Sequence, residues 1–226
     1  MILLVNTWIS LEENELTKKS EATKILDVLE SLYPDPETAL EFKSPFQLLV
    51  ATILSAQTTD KQVNKITSNL FSKHPTARNI ARLTPAQLEE IIKSCGLYRN
   101  KSKNIIETSK IISRHYNGEV PDNLEELVKL PGVGRKTANV VLANAFEKPA
   151  FPVDTHVKRV SSRLGLSRGK NVSATEEELC EIIPRELWNK AHHWLIYHGR
   201  NVCKAKSPLC SSCSLYSLCE NKIKKK

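Results

Sequence analysis

The stretch Asp122-Asn-Leu-Glu-Glu-Leu-Val-Lys-Leu-Pro-Gly-Val-Gly-Arg-Lys-Thr-Ala-Asn-Val-Val-Leu142 decides how this chain is read. An apolar helical pattern runs into Leu130-Pro131-Gly132-Val133-Gly134, and a second helix follows at once. Pro131 stops the first helix because it lacks an N–H and disfavours helical geometry in the residue before it. Gly132 and Gly134 are expected to permit positive φ and the close approach of another backbone. The amides opening the second helix then point outward with partial positive charge, a ready anion site suited to a DNA phosphate. Such contacts position a protein on a duplex without reading its sequence. An ordinary αα-hairpin with a glycine turn is the alternative.

Lys136 falls in the first turn of that second helix, where the macrodipole favours anions. The mismatch eases loss of its proton, and partial burial would ease it further. A neutral amine is a nucleophile toward an aldehyde or an anomeric carbon. A lysine that simply binds phosphate accounts for the same residue. Downstream, Phe151-Pro-Val-Asp154-Thr155-His156 precedes another helical pattern. Asp154 can cap that helix, or supply a carboxylate that stabilises positive charge on a sugar, or do both. His156 reads as a phosphate or structural contact.

Four of the six cysteines crowd the far end: Cys203, Cys210, Cys213 and Cys219, spaced C-x6-C-x2-C-x5-C. Four thiolates so close in sequence can converge on a [4Fe–4S] cluster or on zinc. Zinc sites usually pair two short knuckles, and this run has one C-x2-C, which favours the cluster. Paired disulfides are the remaining option, and nothing in the chain looks secreted. Cys95 and Cys180 lie among apolar helical neighbours and read as buried core thiols. The adjacent His192 and His193 point different ways on a helix and read as packing residues.

Helical periodicity dominates and no alternating strand appears, so the fold class is all-α. Helices are expected near 21–32, 45–55, 60–72, 84–94, 100–116, 122–130, 135–146, 155–164, 174–183 and 185–199. Ser44-Pro45 and Thr84-Pro85-Ala86-Gln87 sign two starts, Ser173-Ala-Thr-Glu176 a third, and Gly96, Gly118 and Gly165 sign stops.

The 226 residues suffice for one large or two modest cores. A net charge of +8 favours a polyanionic partner. The apolar start Met1-Ile-Leu-Leu-Val is too short for a secretion signal, and no apolar run reaches the ~18 residues of a membrane span. The expected location is the cytoplasm, with association to the nucleoid through DNA. The segment up to Ser20 is expected to be disordered, and the tail 221–226 to be a frayed, solvated end.

Taken together, the chain resembles the endonuclease III family of helix–hairpin–helix DNA glycosylases. The likeness rests on Ser44-Pro-Phe-Gln-Leu-Leu, Leu54-Ser-Ala-Gln-Thr-Thr-Asp60, Gly96-Leu-Tyr98, Leu130 to Leu142, Val153-Asp-Thr-His156, His192-His-Trp-Leu-Ile-Tyr-His-Gly199 and the cysteine run, and covers residues 22 to 220. It implies two helical domains flanking a DNA-binding cleft. The central one would span 38–148, with the helix–hairpin–helix at 122–146. The other would join 1–37 to 149–226 and hold a [4Fe–4S] cluster in the loop 203–219. Lys136 matches the family's Schiff-base lysine and Asp154 its catalytic aspartate. Gln57 matches a residue that fills the gap left by an extruded nucleotide, and Leu97 a wedge in the base stack. Residues alone would make Leu97 a core leucine and Gln57 a loop-stabilising amide.

The remaining contacts implied are Gly132, Gly134 and Arg135 at the hairpin, His156, and Lys204 and Lys206 in the cysteine loop. The partner is duplex DNA with a damaged pyrimidine or an abasic site, and the protein a monomer. The expected activity is that of a bifunctional glycosylase and abasic-site lyase. Adenine-mismatch glycosylases of the same superfamily lack the hairpin lysine and carry a further C-terminal domain. Lys136, and the chain's end seven residues past Cys219, weigh against that reading. A non-catalytic binding module is the rival from another class.

Overall fold

The computed structural model describes the backbone of residues 2–221 and the side chains from Thr17 onward. The side chains of the apolar start and the tail 222–226 lie outside the described residues. Every regular element among the described residues is helical. In chain order these are α1 (Ile2–Leu32), α2 (Pro45–Ser55), α3 (Asp60–Lys73), α4 (Ala77–Ile80), α5 (Pro85–Ile92), α6 (Tyr98–His115), α7 (Leu124–Leu127), α8 (Arg135–Ala145), α9 (Thr155–Leu164), α10 (Val172–Ile182) and α11 (Trp188–Asn201). Two 3₁₀ turns, Arg185–Leu187 and Cys210–Ser212, complete the set. The chain divides into two units, Thr38–Pro152 and Met1–Glu37 with Val153–Lys226.

The central unit is built around α2. Residues Phe46 to Leu54 are buried without interruption, so this helix is apolar all round and sits inside. Ser44 caps it by accepting from the Gln47 amide, and Pro45 supplies the pre-set φ of the first turn. Helices α3, α6 and α8 pack against α2, and α4 and α5 pack on α6. Thr84 and Gln87 form the expected reciprocal cap at the start of α5. At the end of α6, Gly118 takes φ +89° and its amide reaches back to Ile112 O at 2.9 Å, closing the helix.

The other unit combines the two chain ends. In α1, Ala22, Ile25, Leu26 and Leu29 form one buried stripe at helical spacing. In α9, Val157, Val160, Ser161 and Leu164 do the same. Both α1 and α9 pack on α11, whose fully buried Trp194 donates its indole N–H to Tyr33 O at 2.9 Å. Tyr197 fastens the same region, donating to Glu37 O at 2.6 Å and accepting from the Glu37 amide at 3.1 Å.

Several expectations change. The segment before Ser20 is helical, because Leu11 to Ser20 holds strong helix formers and neither Gly nor Pro. The first hairpin helix is one turn, α7, rather than nine residues; Pro131 leaves Val128 to Leu130 in tight successive turns. Helix α10 starts earlier than expected, because Asn171 and not Ser173 caps it, accepting from the Ala174 amide at 2.9 Å. Helix α4 was hidden because its capping box closes with Asn79 rather than Glu or Gln. Gly96 is no helix cap; Leu97 takes the left-handed conformation instead. Cys95 is buried as expected but Cys180 only partly. The rings of His192 and His193, expected to diverge, lie 3.8 Å apart.

Candidate nucleic-acid interface and cysteine loop

In the central unit the hairpin is a scaffolded turn. Asn123 caps α7 by accepting from the Glu126 amide at 2.9 Å. The Val133 amide then bonds Leu130 O at 3.0 Å. Gly132 has φ +78°, and an added Cβ would fall 2.9 Å from the Asn104 side chain, so glycine is needed there twice over. Gly134 is a different case: its φ is −89°, and an added Cβ would meet nothing within 4 Å. The fold does not demand glycine at 134, contrary to the expectation of positive φ at both positions. What its missing side chain leaves is open approach to the first turn of α8. Gly134 offers no side-chain cap there, and the first helical bond runs from the Ala138 amide to Gly134 O at 2.9 Å. The amides before it face out of the helix end, the arrangement that suits a phosphate. Arg135 and Lys136 are exposed on this turn; Lys136 does not have the partial burial that its sequence position allowed.

Gln57 and Leu97 share a second feature of this unit. Both are exposed and both hold φ 57°, a conformation costing about 1–3 kcal/mol for such side chains. They belong to neighbouring loops: a Cβ on Gly96 would lie 3.3 Å from Gln57 O. Leu97 is 56% exposed at the start of α6, which excludes the core-leucine role. The Gln57 side chain is likewise exposed rather than packed into its loop. Sequence reasoning missed Lys101 beneath this loop. Its Nζ donates to Leu54 O at 2.9 Å, to Ala56 O at 2.5 Å and to Thr58 Oγ1 at 3.3 Å. Burial pulls its ammonium below the usual lysine value.

In the other unit, Asp154 does cap α9: its Oδ1 accepts from the His156 and Val157 amides, both at 2.8 Å. Both bonds fall on one oxygen, so Oδ2 remains on a carboxylate held in place. His156 Nδ1 accepts from Arg159 at 3.2 Å, since a guanidinium can only donate. Arg159 also donates to Gly199 O at 3.0 Å and Cys203 O at 3.2 Å.

Cys203, Cys210, Cys213 and Cys219 line one cavity at the end of α11, together with the buried His198. All are free thiols, which removes the disulfide option. Among the described residues no three His, Cys, Asp or Glu side chains are set to hold a single ion. Four thiols lining a common cavity are a donor set that fits a thiolate-held metal centre. Burial raises the Cys213 and Cys219 thiols, so a cationic centre is needed to hold them as thiolates. Arg163, also missed from sequence, grips the loop through Lys204 O at 2.8 Å, Ala205 O at 3.2 Å and Cys203 Sγ at 3.4 Å. Lys204 and Lys206 stand exposed on it.

Residues 50–185 match the model of the HhH-GPD superfamily base excision DNA repair protein. The endonuclease III of Synechocystis sp. is 49% identical over 211 residues, covering 93% of this chain and 96% of the relative. That of Bacillus subtilis is 51% identical over 195 residues, covering 86% and 89%. A solved structure of a trapped endonuclease III–DNA covalent intermediate, an estranged-adenine complex, has a TM-score of 0.86 at 48% identity, covering 90% of this chain and 96% of that one. The chain belongs to the endonuclease III family of the HhH-GPD superfamily.

Proposed function

We propose that this protein removes oxidised pyrimidines from duplex DNA and then cuts the abasic strand, with Lys136 as nucleophile and Asp154 as its assisting carboxylate. Family membership along nearly the whole chain makes it a base excision repair DNA glycosylase and abasic-site lyase. The observation that carries the residue-level reading is an exposed lysine in the first turn of α8, on a hairpin whose helix end lacks a side-chain cap.

The neutral amine of Lys136 attacks the sugar C1′, and the C1′–N bond breaks with its electron pair leaving on the base, which takes up a proton. The lysine nitrogen, having given up a proton, then opens the sugar: the C1′–O4′ bond breaks, O4′ takes up a proton, and the iminium that forms acidifies the C2′ hydrogen. Loss of that proton expels the 3′ phosphate, and the strand is cut on that side. Asp154 stabilises the positive charge that builds on the sugar, and its two amide bonds keep the carboxylate oriented. A base can be reached only outside the stack. Gln57 fills the vacated gap and Leu97 wedges the neighbouring step. The hairpin amides, with Gly132, Gly134 and Arg135, hold the backbone, as do His156, Lys204 and Lys206.

The four cysteines would hold a [4Fe–4S] cluster, which supplies order to the loop that carries Lys204 and Lys206. No helix among the described residues is long and apolar enough to cross a membrane. The test is incubation of the purified holoprotein with a duplex containing one thymine glycol. Free base and a strand break are expected, with iron and acid-labile sulfide in equal amounts. Tight binding with neither product would overturn the reading in favour of a non-catalytic module.

A further inference from the structure

Helix α6 opens on Leu97 and leans on the Gln57 loop, and both residues hold a left-handed conformation that persists only where its surroundings impose it. Lys101 bonds to both segments. Its side chain is 5% exposed, and its three ammonium donors meet three oxygens: Leu54 O, Ala56 O and Thr58 Oγ1. Two of these flank Gln57 directly in sequence. The carbonyls belong to the C-terminal end of α2, where the macrodipole is negative and a cation is favoured. That interaction also explains a lysine in the first turn of α6, where its own helix disfavours it. The Lys101 amide, meanwhile, closes that first turn on Leu97 O at 3.1 Å. One residue thus fixes the loop that presents Gln57 and the helix start that presents Leu97. Further along the same helix, Asn104 packs under Gly132 and Thr108 donates to Pro131 O at 2.8 Å.

We propose that Lys101 is a positioning residue for base extrusion: its buried ammonium locks the Gln57 loop against the Leu97 helix start, so that the two side chains enter the duplex as one preset unit. The inference rests on the reading of Gln57 and Leu97 as inserting residues. Lys101 touches no reacting atom. Because the ammonium bonds the Gln57 loop while only the backbone amide of Lys101 bonds Leu97, the side chain's effect is delivered chiefly through Gln57 and shrinks when Gln57 is gone.

The test is a double-mutant cycle on the holoenzyme, with base release from a thymine glycol duplex measured in single turnover. Lys101→Met keeps the length and removes the donors. It should slow release about tenfold in the wild-type background and less than about twofold on Gln57→Ala, while affinity for undamaged duplex holds within about twofold. Amide hydrogen exchange at residues 55–59 should quicken in Lys101→Met. Should that variant fail to fold, Thr58→Val, which deletes one acceptor, carries the same comparison with a smaller loss. Equal losses in both backgrounds, or an equal loss of undamaged-duplex affinity, would overturn the proposal and leave Lys101 a structural cap. If Gln57→Ala alone releases base at the wild-type rate, the inserting role of Gln57 fails first. The Lys101 proposal then falls with it, even if exchange has quickened.

Discussion

Thr108 donates its hydroxyl to the carbonyl of Pro131 at 2.8 Å, from a side chain with no exposed surface. This bond anchors the hairpin turn to α6 from beneath. Thr108→Val preserves shape and removes the donor. Stability should drop by about 1 kcal/mol or somewhat more, because a partly buried carbonyl loses its partner. Affinity for undamaged duplex should weaken with it. A Val variant that melts and binds like the wild type would show that the turn needs no such anchor.

The two hairpin glycines should separate cleanly. Gly132→Ala forces a Cβ onto Asn104 at positive φ and should cost roughly 1–3 kcal/mol of stability. Gly134→Ala meets open space and an ordinary φ, so its melting temperature should match the wild type. Its duplex affinity should nonetheless fall, since the new methyl group obstructs a phosphate approaching α8. Melting curves and fluorescence anisotropy on both variants check this. Normal DNA binding by Gly134→Ala would remove the phosphate from that helix end.

Asp154 carries a cap and, in this account, a catalytic charge. Asn can still accept the His156 and Val157 amides, so Asp154→Asn should fold normally while base release collapses. Asp154→Ala loses both and should also be destabilised by about 0.5–2 kcal/mol. Asn activity close to wild type would reduce Asp154 to its structural role.

Burial lowers His193 to about 4, aided by the charge of Arg200. The ring is therefore neutral in the fold, whereas the unfolded chain binds a proton below its ordinary value of 6.5. Stability contributed by this group is complete above pH 6.5 and falls as pH drops from 6.5 toward 4, by roughly 3 kcal/mol in all. His193→Gln should flatten that part of the stability profile. Denaturant melts at pH 7, 6 and 5 on both proteins give the difference; parallel profiles would show that His193 is not the titrating group.

Legibility followed locality. The hairpin, the Asp154 cap and the cysteine run are each written within a couple of dozen neighbouring residues, and so are the caps Ser44 and Thr84. What escaped depends on chain distant in sequence. Lys101 finds its acceptors more than forty residues upstream, and Arg163 meets the cysteine loop some forty residues on. As letters, both are ordinary cations in a helical pattern. Only family likeness points to Gln57 and Leu97, because left-handed φ in a glutamine or a leucine is imposed by surroundings and leaves no compositional mark. The short α7 was the reverse case, a periodic pattern cut down by the demands of Pro131.

The proposed chemistry runs through a covalent intermediate at Lys136. Holoprotein is mixed with a thymine glycol duplex, sodium borohydride is added, and the products are separated on a denaturing gel. A protein–DNA adduct is expected from the wild type and none from Lys136→Gln, which should still bind the duplex. An adduct, or a strand break, that survives in Lys136→Gln would contradict the account.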